Sequence, residues 1–311
     1  MTAPRRVLVT GASGFIGRHA IEPLLERGFE VHAVTRTAAP PRSSSQVRWH
    51  RADLLATDGH DTLLCAVAPT DLLHLAWYAE HGQFWTSSEN LRWAAATISL
   101  VQAFAEHGGR RAVVAGTCAE YRWGDPGPCV EGVTPLAPAS LYGTAKHATR
   151  MLLEAAAQTL GSELAWGRIF FLYGPGEPPG RLVPSVARAL LRGDRVATGS
   201  GTQVRDLLHV ADVAAAFVAL LDSPVTGAVN IASGEGRRLR EVIDAIAAAT
   251  GRADLLDIGA LPPRPYDPHE LVADVRRLRA EVGFIPSIAL DEGIVRTVAW
   301  WQRTLAAGSG R

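Results

Sequence analysis

Short apolar runs alternate with longer stretches of helical periodicity through the first half of the chain. The runs are Val7 to Thr10, Glu30 to Thr35, Asp71 to Ala76, Arg111 to Gly116 and Leu164 to Phe171, and between them Phe15 to Arg27, Leu91 to His107 and Leu141 to Leu160 repeat their apolar positions at helical spacing. Such runs predict buried strands, and helices that return between them predict a parallel sheet covered on both faces. The expected fold is therefore α/β, a Rossmann-type doubly wound sheet. Pro/Ser-rich Ala38 to Ser45 and Pro/Gly-rich Gly124 to Pro138 read as surface loops, the second bordering the site. After Tyr173-Gly174-Pro175-Gly176-Glu177-Pro178-Pro179-Gly180 the elements become shorter and mixed, which predicts a smaller mixed α/β lobe. The expected division is 1–170 as the dinucleotide-binding domain, receiving about 203–224 as well, with 171–311 as the substrate-binding lobe.

Composition narrows the partners. A chain of 311 residues with 47% hydrophobic content buries a full core and exceeds one compact unit. Lys plus Arg equal Asp plus Glu at 31 each, so no net field favours nucleic acid or an anionic membrane, and phosphate recognition falls to individually placed arginines. Cys65, Cys118 and Cys129 form neither a metal-type nor a redox pair, so no metal is expected and the compartment is expected to be reducing. The first strand begins by Val7 and no apolar run is long enough for a bilayer, which leads to an expected cytoplasmic location.

The candidate chemistry sits where strands end. Val7 to Thr10 runs into Gly11-Ala12-Ser13-Gly14-Phe15-Ile16-Gly17. Gly11 allows the turn out of the strand, Gly14 lets backbone approach a pyrophosphate, and Gly17 lets the next helix pack on the sheet with its N-terminal amides toward the phosphates. Ser13, Phe15 and Ile16 belong to the same turn. An NAD-preferring pocket puts a carboxylate after the second strand; here Arg36 stands there, suited to the extra phosphate of NADP, with a charged hydrogen bond worth about 1.5–3 kcal/mol. NADP(H) is thus favoured, with NAD(H) as the other possibility. Asp53 and Leu54 are expected beside the adenine, and Leu75 and Ala76 along the cofactor, while His74 reads as a satisfied core histidine.

Tyr142 and Lys146 are one helical turn apart, with Cβ atoms about 5–6 Å from each other. Bringing a phenol from a pKa near 10 to about 7 takes roughly 4 kcal/mol of phenolate stabilisation, which the Lys146 ammonium is expected to supply. Tyr142 then exchanges a proton with a substrate oxygen, Lys146 also holds the nicotinamide ribose, and Thr117 orients that oxygen.

Gly11-x-x-Gly14-x-x-Gly17, His74-Leu75-Ala76, Thr117 four before Tyr121, and Tyr142-x-x-x-Lys146 together resemble the extended short-chain dehydrogenase/reductase family. The likeness continues through Arg168 to Pro175, Arg205-Asp206-Leu207-Leu208-His209-Val210-Ala211-Asp212, Asn230 to Gly234 and Arg264 to Asp267. For nucleotide-sugar members the resemblance implies that Arg205 and Arg264 clamp the diphosphate, that Arg181 reaches the sugar or its phosphates, and that Asp206 and His209 are scaffold. Phe171 stands where many relatives place a substrate-touching Asn, and Trp93 where a helix begins an Asn-containing turn, with Asn90 nearby. Cys118 and Ala119 replace the Asp-Glu of the dehydratases, and Ala119 and Arg181 replace the acid and base of the double epimerases. What remains is an NADPH-dependent 4-ketoreductase of a nucleotide-diphospho-4-keto-6-deoxyhexose or, alternatively, a nucleotide-sugar 4-epimerase with tightly bound NAD. A homodimer through the helices of Leu91 to His107 and Tyr142 is implied by the same resemblance.

Overall fold

A computed structural model of the chain describes residues 5–36, 45–56, 59–262 and 267–308. Its first half runs β1 (Arg6–Thr10), α1 (Gly17–Glu26), β2 (Glu30–Thr35), β3 (Val47–Arg51), α2 (Gly59–Val67), β4 (Asp71–His74), α3 (Glu89–Glu106), β5 (Arg111–Thr117), α4 (Leu141–Leu160) and β6 (Glu163–Ile169). The second half runs β7 (Phe171–Tyr173), α5 (Leu182–Arg192), β8 (Val196–Thr198), β9 (Val204–His209), α6 (Val210–Asp222), β10 (Gly227–Ile231), β11 (Gly236–Arg238), α7 (Leu239–Thr250), β12 (Leu256–Ile258), β13 (Glu270–Leu271), α8 (Arg276–Ala280) and α9 (Leu290–Gly308).

Seven strands pair in the order β10-β6-β5-β4-β1-β2-β3, every neighbour parallel. The strands are apolar on both faces because both faces are covered. Val7 and Val9 join the core beneath α1 and α6, whereas Leu8 between them joins the core beneath α2, α3 and α4. This is the doubly wound Rossmann-like arrangement that the alternation predicts.

Three strand boundaries differ from the sequence reading. The run from Leu164 to Phe171 breaks at Phe170 into β6 and β7, and β7 leaves the large sheet to pair with β9. β3 lies in a stretch where no strand was expected, a half-exposed edge whose residues show no continuous apolar run. β10, placed by sequence in the smaller lobe, is an edge strand of the large sheet, paired with β6. The segment 203–224 divides: α6 packs on α1, while β9 is the hub of the second sheet, pairing with β11, β13 and β7. Tyr173 with α5, α7 and α9 encloses a third core under that sheet. Among the described residues no helix is long and apolar enough to cross a membrane.

Candidate active site

The winding of the large sheet reverses between β1 and β4, and a crevice opens there at the strands' carboxyl ends. Gly11 leaves β1 at φ +67°, and a Cβ on it would lie 2.8 Å from Ala76 N, so the turn sits flush against Leu75-Ala76. A Cβ on Gly17 would lie 2.1 Å from Gly11 O, which is how α1 starts directly on the turn. Ser13 and Gly14 are exposed at the lip, with Phe15 and Ile16 half-buried behind them. Backbone laid this close, with a helix N-terminus above it, fits a dinucleotide pyrophosphate.

The flanking residues lie at the same end of the sheet. Arg36 is exposed just after β2. Asp53, also exposed, accepts from Leu55 N–H at 3.1 Å in the turn after β3, and Leu54 beside it is buried. Leu75 and Ala76 are half-buried. His74 is held between Thr10 Oγ1 at 2.8 Å and Thr97 Oγ1 at 2.9 Å, and burial brings its pKa down to about 3. It is a neutral core histidine.

Thr117, Tyr142 and Lys146 come together beside this turn. Thr117 ends β5 and opens a short 3-10 turn; Ser140 caps α4 by accepting from Gly143 N–H at 3.1 Å, which presents Tyr142 in the first turn and Lys146 in the second. Thr117 lies close enough to Tyr142 for its hydroxyl to pull the phenol's pKa down. Lys146 Nζ donates to Ala115 O at 2.7 Å and lies 3.7 Å from the Trp77 ring centroid. Lys146 is also the chain's single lysine: every other one of the 31 Lys/Arg positions is arginine. A compact, titratable ammonium is not interchangeable with a guanidinium, so a chain that uses arginine everywhere else marks this position by its exception. That signal was available in the sequence and was not part of the reading above.

Burial dominates the electrostatics of this pair. Burial pushes the Tyr142 phenol up to about 12, against the Thr117 hydroxyl and the Arg181 charge, which pull it down. Burial likewise lowers Lys146 to about 7, with Glu120 acting in the opposite sense. Burial thus works against the charged form of both groups, and Glu120 is the charge that opposes it at Lys146.

An aromatic loop, missed at the sequence level, closes over the phenol. Tyr142 packs edge-on against Phe84 at 4.9 Å and Trp85 at 5.8 Å, and Trp85 meets Trp123 at 5.9 Å. Asn90 anchors this loop: its Nδ2 donates to Phe84 O at 2.7 Å and Ser87 O at 2.9 Å, and its Oδ1 accepts from Trp77 Nε1 at 2.9 Å. Trp93 is buried in the helix core, 6.5 Å from Trp77. The clustering of Trp77, Tyr78, Phe84 and Trp85 within nine positions after a strand end was the available clue.

The second lobe supplies the opposite wall. Arg181 is the N-cap residue of α5, half-buried, with its Nε unpartnered. Glu177, four residues earlier and not anticipated from sequence, is buried with Oε2 unpartnered and is pushed up to about 8 by desolvation. Arg205 is buried in β9, ion-paired with Asp267, and lies 5.4 Å over the half-buried Phe171 ring. Its guanidinium is thus already engaged. Arg264 lies outside the described residues. Asp206 accepts from the N–H groups of Ser233, Gly234 and Ala273, and His209 caps α6 by accepting from Ala211 N–H at 3.3 Å, so both are scaffold. The three cysteines are free, and among the described residues no His, Cys, Asp and Glu group is arranged to hold a metal.

Residues 7–232 match the model of the NAD dependent epimerase/dehydratase family. The chain belongs to that family. It is 28% identical to a dTDP-glucose 4,6-dehydratase of Streptomyces griseus, covering 97% of this chain and 98% of the relative. It resembles the UDP-glucose 4-epimerase of Thermus thermophilus, solved in complex with NAD, at a TM-score of 0.82 and 32% identity, covering 96% of this chain and 99% of that one. It also resembles MoeE5, solved with UDP-glucuronic acid and NAD, at a TM-score of 0.82 and 34% identity, again covering 96% and 99%. This family member is a nucleotide-sugar epimerase/dehydratase relative of the extended short-chain dehydrogenase/reductase type. Both of these relatives were solved with NAD bound.

Proposed function

We propose that the protein is a nucleotide-sugar 4-epimerase that works with NAD. The observation that carries this reading is the poverty of the site in acid–base groups: Thr117, Tyr142 and Lys146 gather there, Cys118 and Ala119 offer no carboxylate, and Glu120 is fully buried. Such a floor supports moving the proton of one hydroxyl, and positions 118 and 119 carry no carboxylate for removing water or a carbon-bound proton. The glycine turn and the N-terminus of α1 would hold the pyrophosphate, Leu75 and Ala76 would line the cofactor, Asp53 and Leu54 would border the adenine, and Lys146 would hold the ribose. When bound, the nicotinamide supplies a hydride acceptor and donor. Tyr142 takes the proton of the C4 hydroxyl and returns it, while Thr117 fixes that oxygen. Arg181 and Arg264 would hold the diphosphate end, joined by Arg205 once it exchanges Asp267 for a phosphate, Phe171 would line the sugar, and the parts of 171–311 outside α6 and β10 would form the substrate-binding lobe. Leu91, Met151 and Leu152, exposed on α3 and α4, support a homodimer through those helices.

A second reading, an NADPH-dependent 4-ketoreductase acting on a 4-keto-6-deoxyhexose nucleotide, is favoured by one observation: Arg36 stands exposed after β2 where no carboxylate is present. One experiment separates the two. Purified protein is denatured and its released dinucleotide identified, and fresh protein is then given UDP-glucose, UDP-glucuronic acid and their dTDP counterparts, with and without added NADPH. Copurifying NAD and C4 interconversion without net redox are expected. An empty protein that oxidises NADPH with 4-keto sugars overturns the epimerase reading in favour of the second.

A further inference from the structure

Beneath the reacting cluster lies a carboxylate that the chemistry so far leaves unused. Glu120 is fully buried in the 3-10 turn that follows β5. Its Oε1 accepts from Thr117 N–H at 3.0 Å and from Trp166 Nε1–H at 2.7 Å, and its Oε2 accepts from Arg168 Nε–H at 3.0 Å. Arg150, one turn of α4 beyond Lys146, brings its Nε to 3.6 Å from Oε2. Strand β5, which carries Thr117, helix α4, which carries Tyr142 and Lys146, and strand β6 therefore meet on one side chain. With both oxygens engaged and no surface open, Glu120 cannot stand in for the carboxylates missing at 118 and 119.

We infer that Glu120 is a positioning residue: it fixes the Thr117 backbone and acts as the buried counter-charge that keeps the Lys146 ammonium protonated beside Tyr142.

The geometry supports both parts. The Glu120 carboxylate and the Thr117 N–H form one half of a capping box, and Thr117 Oγ1 also accepts from Ala119 N–H at 3.2 Å, so the same turn holds both the backbone and the hydroxyl of Thr117. Lys146 Nζ bonds Ala115 O two residues upstream of Thr117, and it lies 5.9 Å from the ring of Trp166, the indole that donates to Glu120. An N–H drawn toward a carboxylate leaves the ring face more negative, which strengthens its hold on a cation. The charges that face this pair are few: His74 from β4, neutral; Tyr142 on the same helix; Arg168 from β6; and Arg150 and His147 from α4. Glu120 raises Lys146 against burial and raises Tyr142 as well. Removing its charge lowers both.

The single lysine makes the test direct, since protein grown on lysine isotopically labelled at Cε gives one lysine resonance, that of Lys146. Its titration is followed in the full chain without substrate or cofactor. E120Q keeps an acceptor oxygen for Thr117 and Trp166 but removes the charge, and its midpoint is expected about one pH unit below that of the unmodified protein. W166F, which keeps the charge and removes one donor, is expected to move it by a few tenths at most. E120Q titrating with the unmodified protein, or W166F moving as far as E120Q, overturns the inference. Should E120Q not fold, E120D draws the charge back by a methylene; a smaller downward move supports the inference and an unmoved midpoint overturns it. The consequence for turnover, both limbs of the pH profile displaced toward acid with KM within about twofold, rests on the proposed function. The titration does not, so silence toward every nucleotide sugar leaves it standing.

Discussion

The floor of the crevice and its far wall are finished to different degrees. On the floor, hydrogen bonds pass from Thr117 to Glu120, to Trp166 and Arg168, to Tyr121 at 3.0 Å and on to Asn230 at 2.8 Å, joining β5, β6 and β10. Only Arg150 Nε, at the edge of that network, is left unpartnered. On the wall, Glu177 Oε2, Arg181 Nε and His209 Nε2 are all buried without a partner. A buried polar atom left unsatisfied costs about 1–3 kcal/mol, so these three atoms hold bonding capacity that solvent or a ligand can take up. The floor fixes geometry, and the wall keeps its bonding capacity in reserve. On the proposed function, chemistry belongs to the first and recognition to the second.

Breaking the floor should have the largest consequence. Y142F removes one oxygen and leaves its ring against Phe84 and Trp85, so cofactor binding and fold should persist while turnover falls by about 10²–10⁴. Turnover on the active nucleotide sugar beside a dinucleotide-binding titration checks this. A variant that keeps more than about a tenth of the activity would take the phenol out of the reaction.

The wall answers in stability and affinity. Burial pushes Glu177 up to about 8 from an ordinary value of 4.5, so between those values the folded state is expected to bind the extra proton. Its stability should fall as pH rises through that window, relative to E177Q, which carries no such group. Urea unfolding of both proteins at pH 5 and pH 8 should show E177Q gaining about 1–3 kcal/mol on the parent. A constant difference would mean that Glu177 is satisfied in solution. R181A should raise KM for the nucleotide sugar by about tenfold to a hundredfold, with a smaller change in kcat and an unchanged melting temperature. Equal losses in kcat and kcat/KM would move Arg181 from the wall to the floor.

The same contrast explains what the sequence disclosed. Tyr142 and Lys146 are legible because a helix brings positions four apart together without help from the rest of the chain, and the glycine turn because a local backbone requirement dictates residue type. α4 runs from Leu141 to Leu160, the limits that its periodicity predicts. Glu120 was not legible as a hub, since its partners Trp166 and Arg168 arrive from a strand whose pairing no local pattern announces. Phe170 was read as continuous strand because burial, which the pattern records, does not distinguish a strand that stays in its sheet from one that departs to another. The pairing of Arg205 with Asp267 was not legible because the two are distant in sequence.

Arg36 tests where recognition begins on the cofactor side, and its effect should be the smallest. It is exposed, so whatever it gives a phosphate is screened by water and salt. R36A is expected to weaken NADPH by about tenfold while leaving NADH unchanged, as measured by quenching of protein fluorescence at low and at physiological ionic strength. A selective loss that shrinks with salt would identify Arg36 as a phosphate contact and draw the protein toward the reductase reading. An equal or absent change for both dinucleotides would leave the arginine as a solvated loop residue and remove the one feature of the site that speaks against NAD. Because the end of β2 lies far from Tyr142 in chain and in strand order, the outcome bears on the cofactor alone and leaves the proton-handling floor as it stands.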